Sequence, residues 1–76
     1  MEATPQFIEF AQGIEFGAKL NKRAMYEDFY SKFPNHHIIE LTTFRNWLKY
    51  IADAYGFTFT ESHSGNDNFF EFSYLN

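Results

Sequence analysis

The chain has 76 residues, a length typical of one small domain, with 45% hydrophobic residues and a formal net charge of −4. The absence of cysteine excludes disulfides, thiolate nucleophiles, zinc ribbons and iron–sulfur sites. Aromatic residues make up 22% of the chain, which suits a small core that needs large side chains. No apolar run is long enough for a membrane span, and Glu2 follows Met1 where a signal peptide would be basic, so we expect a cytoplasmic protein without membrane association.

Charge is unevenly distributed along the chain. All six basic residues lie within residues 19–49, against three of the ten acids, so this window is net +3. Such asymmetry permits a basic face on an acidic protein. The alternative is an ordinary solvated surface of mixed charge.

A first helix is predicted over residues 5–16. Thr4 is suited to cap it, Pro5 is favourable at the first helical position, and Gly17 is the expected end. Spacings of three and four place a stripe of apolar residues on one face: Phe7, Phe10, Ala11 and Ile14.

A second helix is predicted over residues 22–33, capped by Asn21 and stopped by Pro34. Met25, Phe29 and Phe33 form its apolar stripe. Residues 37–41 are too few for another helix and predict a brief extended segment that pairs as a third strand at a sheet edge.

The third helix is predicted over residues 43–55, capped by Thr42 and closed by Gly56. Its apolar face has the clearest helical spacing in the chain: Phe44, Trp47, Leu48, Ile51 and Tyr55. Alternating apolar residues then predict a β-hairpin over residues 57–75 with a long polar tip at 63–68. Residues 1–76 thus form one α+β domain.

This order of elements is that of a winged helix-turn-helix, with three helices, a C-terminal hairpin wing and a possible short third strand. Residues 20–30 (LNKRAMYEDFY) and 42–49 (TTFRNWLK) resemble the winged-helix domains attached to primase-helicases of phages and mobile elements. Met25-Tyr26 stands where that family usually has Leu-Tyr. The resemblance implies a nucleic-acid-binding accessory module of a replication protein.

The third helix of a helix-turn-helix enters the DNA major groove, and three polar residues project from its exposed face here: Arg45, Asn46 and Lys49. They are the first candidates for DNA contact, although the same residues also serve to solubilise an amphipathic helix. Lys22 and Arg23 at the start of the second helix are candidates for phosphate contact, with plain solvent exposure as the alternative.

The hairpin tip carries three candidate wing residues for the DNA backbone: Ser64, Asn66 and Asn68. The tip holds no Lys or Arg and includes Asp67, so a plain surface turn is the competing interpretation. Three tyrosines, Tyr26, Tyr30 and Tyr50, are suited either to the core margin or to stacking on single-stranded bases.

No enzyme, cofactor or metal is predicted. The sequence lacks a glycine-rich phosphate loop, a nucleophile elbow and any acid–base spacing typical of catalysis. The adjacent His36 and His37 point apart in an extended chain, which favours polar residues at the edge of a turn over metal ligands.

Two functions therefore compete. The first is weak, salt-dependent binding of DNA, duplex in preference to single-stranded, because a net charge of −4 opposes strong binding. The second is docking to a protein partner, or formation of a homodimer, through the aromatic hairpin and its Phe57, Phe69 and Tyr74.

Overall fold

The computed structural model describes residues 3–74, which form three helices and one three-stranded antiparallel sheet of order β1-β3-β2. The elements in chain order are α1 (Pro5–Gln12), β1 (Leu20–Asn21), α2 (Lys22–Lys32), α3 (Leu41–Tyr55), β2 (Phe57–Ser64) and β3 (Asp67–Tyr74). This confirms the α+β class with three helices and a C-terminal hairpin; residue 75 of the predicted hairpin lies outside the described range. None of the helices in that range is long and apolar enough to cross a membrane.

The first helix is shorter than the sequence predicts. Thr4 caps it as expected, since its Oγ1 accepts a hydrogen bond from the Phe7 amide at 3.3 Å. The helix ends at Gln12 with Gly13 as its C-cap, so the predicted end near Gly17 is wrong. Phe16 leaves the helix because it packs instead on the end of the hairpin, with its ring centroid 4.5 Å from that of Tyr74.

The second and third helices are close to their predicted bounds. The Asn21 side chain caps α2, and Oδ1 accepts from the Ala24 amide at 3.0 Å. At the start of α3 the predicted cap is wrong: Glu40 is the N-cap, without a side-chain hydrogen bond, and Thr42 lies inside the helix. Gly56 ends α3 in the left-handed conformation, with φ of 76°, as its sequence position indicates.

The third strand does not come from the predicted segment. The free edge of β3 is taken by β1, where Leu20 pairs with Phe70 and Asn21 with Phe69. Residues 37–40 form no strand, because side chains of α2 already bind their backbone. Tyr30 Oη accepts from the Ile39 amide at 2.8 Å, and Tyr26 Oη donates to the Ile39 carbonyl at 2.7 Å.

The hairpin tip is tight where the sequence predicts a long one. Pairing continues up to Ser64 and Asp67, so only Gly65 and Asn66 form the turn. Gly65, the first of these two residues, has φ of 62°, whereas Asn66 does not, because only glycines have positive φ in the described range. This combination is the pattern of a type II′ turn.

The core is built mainly from aromatic rings. Phe7 is fully buried, and its ring centroid lies within 5.3 Å of those of Phe29, Phe44 and Trp47. The other buried apolar residues are Phe10, Ala11, Met25, Ile39, Leu48, Ile51, Ala52, Phe70 and Phe72. The helices and one face of the sheet thus share a single core.

Candidate nucleic-acid interface

Arg45 of α3 is held by a glutamate of β2. Its Nε lies 2.9 Å from Glu61 Oε1 and its Nη2 lies 2.7 Å from Oε2, a two-pronged ion pair. The guanidinium also lies over the Phe59 ring, 5.9 Å from its centroid. Phe59 and Glu61 are two positions apart on β2, and therefore share the face of the sheet that contacts α3. The first predicted DNA contact is thus occupied within the protein.

The other two candidates on α3 are also engaged. Arg45 Nη1 donates to Asn46 Oδ1 at 3.0 Å, so the amide oxygen needed to read an adenine already accepts a hydrogen bond. Lys49 Nζ lies 3.2 Å from Asp53 Oδ2 in an exposed i,i+4 pair. Exposed pairs of this kind are weak, so Lys49 remains accessible to a ligand.

Lys22 and Arg23 have no ion-pair partner among residues 3–74. They lie beside the hairpin turn because β1, which immediately precedes them, is paired with β3. Both cations line a small cleft of about 90 Å³, together with Asn21, Leu41, Asn66, Asp67 and Asn68. Two of the three predicted wing residues, Asn66 and Asn68, therefore adjoin the predicted phosphate contacts. The Asp67 carboxylate in the same cleft opposes an anion.

A second cleft, of about 250 Å³, connects Lys22 with the middle of the hairpin and is lined by Lys22, Glu61, Ser62, His63 and Asn68. The hydrogen bonds from Arg45 lower the pKa of the Glu61 carboxyl, and the charges of Arg45, Lys22 and Lys49 lower it further. The same hydrogen bonds raise the pKa of the Arg45 guanidinium. Glu61 thus interacts with cations of both α2 and α3. The third predicted wing residue, Ser64, lines neither cleft.

Sequence reasoning did not single out Glu61. Its signal is the alternation of β2, in which it follows Phe57 and Phe59 at intervals of two and therefore shares their face. Which basic residue faces it depends on how α3 packs on the hairpin.

Two of the three tyrosines have a structural role. The hydroxyls of Tyr26 and Tyr30 bind the backbone that connects α2 to α3, whereas Tyr50 is 45% exposed. Burial and the neighbouring Tyr30 raise the pKa of Tyr26. This supports the core-margin interpretation for Tyr26 and Tyr30 and leaves Tyr50 available for stacking.

His36 closes a turn, as expected, since its amide donates to the Phe33 carbonyl at 3.1 Å, and its side chain is buried. Its Nδ1 donates to the His37 carbonyl at 2.6 Å, and its Nε2 lies 2.6 Å from Oγ1 of Thr4, the cap of α1. The ring therefore connects the start of α1 to the segment after α2. No cluster of three or more side chains suited to a metal ion occurs in the described part of the chain.

A separate apolar groove lies at the open end of the hairpin. It has a volume of about 490 Å³ and is lined by Ala11, Gln12, Phe16, Ile51, Tyr55, Phe57 and Tyr74. Tyr55 and Tyr74 are 52% and 69% exposed at its margin. The hairpin thus presents polar clefts near its turn and an aromatic groove at its other end.

Comparison of the chain with models of protein families, with curated proteins and with solved structures returned no match.

Proposed function

We propose that this chain is a winged-helix module that binds nucleic acid, with duplex DNA preferred. The order α1-β1-α2-α3-β2-β3 and the sheet order β1-β3-β2 are compatible with that fold. The sequence resemblance described above suggests the further proposal that it serves a replication protein of the primase-helicase type from a mobile element.

The observation that carries the proposal is the cleft in which Lys22 and Arg23 meet Asn66 and Asn68. Two cations without ion-pair partners in the described range and two amide side chains are suited to phosphate oxygens. In a winged helix, the hairpin turn is the wing, so both groups would contact the DNA backbone while α3 approaches a groove.

Charge sets the expected strength of binding. With a net charge of −4, long-range repulsion by the acidic segments opposes the attraction of the basic cleft. Each phosphate contact contributes roughly −0.9 to the slope of log affinity against log salt, so two or three contacts give a slope of about −2 to −3. We therefore expect weak binding that is seen best at low salt.

The test is fluorescence anisotropy of labelled duplex and single-stranded DNA at about 20 mM and about 200 mM salt, a range over which counterion release weakens binding. Lys22→Ala and Arg23→Ala should each reduce affinity and lower the salt slope by about 0.9. Lys32→Ala, at the other end of α2, is the matched control and should leave binding nearly unchanged. Absence of saturable binding to either DNA at low salt would overturn the proposal.

A second candidate function is self-association through the hairpin. Within residues 3–74, β2 pairs only with β3, and its outer edge carries neither Lys nor Pro to prevent pairing with another strand. The edge begins at Phe57, beside the aromatic groove with its exposed Tyr74. An antiparallel β2 edge can pair with its own copy in a two-fold dimer.

Sedimentation velocity over a range of protein concentrations tests this candidate. We expect a dimer that Thr60→Lys converts to a monomer, because a charge on an edge strand disfavours strand addition. A wild-type protein that stays monomeric at every concentration would exclude it.

A further inference from the structure

We propose that Glu61 is an internal competitor for phosphate: it occupies the Arg45 guanidinium in the free protein, and Arg45 transfers to a backbone phosphate when nucleic acid binds. This inference rests on the proposed function. In this proposal Glu61, a hairpin residue that does not contact nucleic acid, controls the binding.

The geometry of the pair supports such an exchange. Two guanidinium nitrogens of Arg45 face the two oxygens of Glu61 at 2.9 and 2.7 Å. A phosphate group presents the same arrangement of two charged oxygens to an arginine. Since Nη1 is bound to Asn46, the free protein leaves the guanidinium few donors for a ligand.

The exposure of the pair makes the exchange possible without unfolding. The Arg45 and Glu61 side chains are 30% and 43% exposed, so water and a ligand reach both. Rotamer changes of exposed side chains take picoseconds to nanoseconds. Neither residue belongs to the buried core, so releasing the pair leaves the packing of α3 on the sheet in place.

The surrounding charges indicate what the exchange would change. Lys22 lines the same cleft as Glu61, and Lys22 and Lys49 both act on its carboxylate in addition to Arg45. The carboxylate therefore lies beside one cation of α2 and one of α3, Lys22 and Arg45. Neutralising it would leave those cations facing the same surface without their shared anion, and an incoming phosphate would meet a more positive potential.

The alternative is that the pair only fastens α3 to the hairpin. Glu61→Gln removes the charge and keeps the shape, and Glu71→Gln is its matched control. Glu71 lies on β3 opposite Thr60, one position from the buried Phe70 and Phe72, and therefore on the other face of the sheet. Both variants change the net charge equally, so their difference isolates the position of Glu61.

The experiment measures anisotropy of a labelled DNA duplex against salt for the wild type and both variants, with circular dichroism to confirm folding. We expect Glu61→Gln to bind about three- to tenfold more tightly than Glu71→Gln at low salt, a change of at most about 1.4 kcal/mol in binding free energy. Its salt slope should stay close to that of Glu71→Gln, because Arg45 contacts the same phosphate in both complexes. Adding Arg45→Ala to Glu61→Gln should remove the gain.

Equal affinity of the two glutamine variants, with clear binding by the wild type, would overturn the role of Glu61 and leave the proposed function standing. Absence of binding by all three proteins at low salt would overturn the proposed function, and this inference with it.

Discussion

Asn21 pairs with Phe69 across β1 and β3, and the same Asn21 caps the first turn of α2 through its side chain. One residue thus ends a strand and begins a helix. This double role places the first residues of α2, Lys22 and Arg23, beside the hairpin turn. The arrangement of the candidate phosphate contacts therefore depends on local backbone geometry at Asn21.

Asn21→Ala should lower the free energy of unfolding by about 1 kcal/mol, because the Ala24 amide loses its side-chain acceptor. Asn21→Asp should retain most of that stability, since aspartate is an equally good N-cap. Urea denaturation of the three proteins measures the difference. Equal losses in both variants would contradict a contribution of the side-chain cap to stability at this position.

The Tyr30 hydroxyl contributes to the segment between α2 and α3. It accepts from the Ile39 amide and donates to the His37 carbonyl, at 2.8 and 3.0 Å. Tyr30→Phe should therefore cost roughly 1–3 kcal/mol, because the partly buried Ile39 amide loses its acceptor. Tyr50→Phe, whose side chain is 45% exposed, should change stability by less than about 0.5 kcal/mol. Thermal unfolding that failed to separate the two variants would contradict a structural role for this hydroxyl.

Elements with long apolar periodicity were predictable from the sequence, and the shortest element was not. The spacing of Phe44, Trp47, Leu48 and Ile51 identifies α3, and all four are buried. A two-residue strand such as β1 has no alternation to detect. Its existence depends on a partner strand far along the chain, which is information that a local pattern does not contain.

The candidate site, like the fold, was only partly predictable from the sequence. The basic residues were identified because charge and helical position are local properties. Their partners were not, since the pairing of Arg45 with Glu61 requires α3 to lie against β2. The meeting of Lys22 with Asn68 similarly follows from the pairing of β1 with β3. Sequence patterns thus gave the charges, and tertiary packing determines which charges remain available.

Gly65 is the residue of the hairpin turn that most needs to be glycine. Its φ of 62° is strained for any residue with a Cβ, so Gly65→Ala should cost about 1–2 kcal/mol. Gly13→Ala is the matched control, because Gly13 has φ of −93° and an added Cβ would meet only the Phe10 carbonyl at 3.6 Å. That change should be neutral or stabilise by up to about 1 kcal/mol. Similar effects of the two substitutions in urea denaturation would contradict the II′ geometry of the turn.

Glu61 should give the protein a pH-dependent stability at acid pH. Its hydrogen bonds and ion pair with Arg45 hold the pKa of its carboxyl below the usual value of 4.5, so the folded state binds the proton less tightly than the unfolded state. The stabilisation is therefore fully present above pH 4.5 and is lost as the pH falls through the lower pKa of the folded protein. Because the Glu61 side chain is 43% exposed, solvent screening limits the contribution to less than about 1 kcal/mol.

The free energy of unfolding of wild type minus that of Glu61→Gln, measured by denaturation between about pH 2 and pH 7, isolates this contribution. We expect the difference to favour the wild type near neutral pH, to decline in the acid range and to shrink at about 1 M salt, where the ions are screened. A difference that stays constant across the pH range would mean that the charge of Glu61 does not stabilise the fold. The ion pair between Arg45 and Glu61 would then be energetically neutral in the free protein, and breaking it would not oppose the transfer of Arg45 to a phosphate.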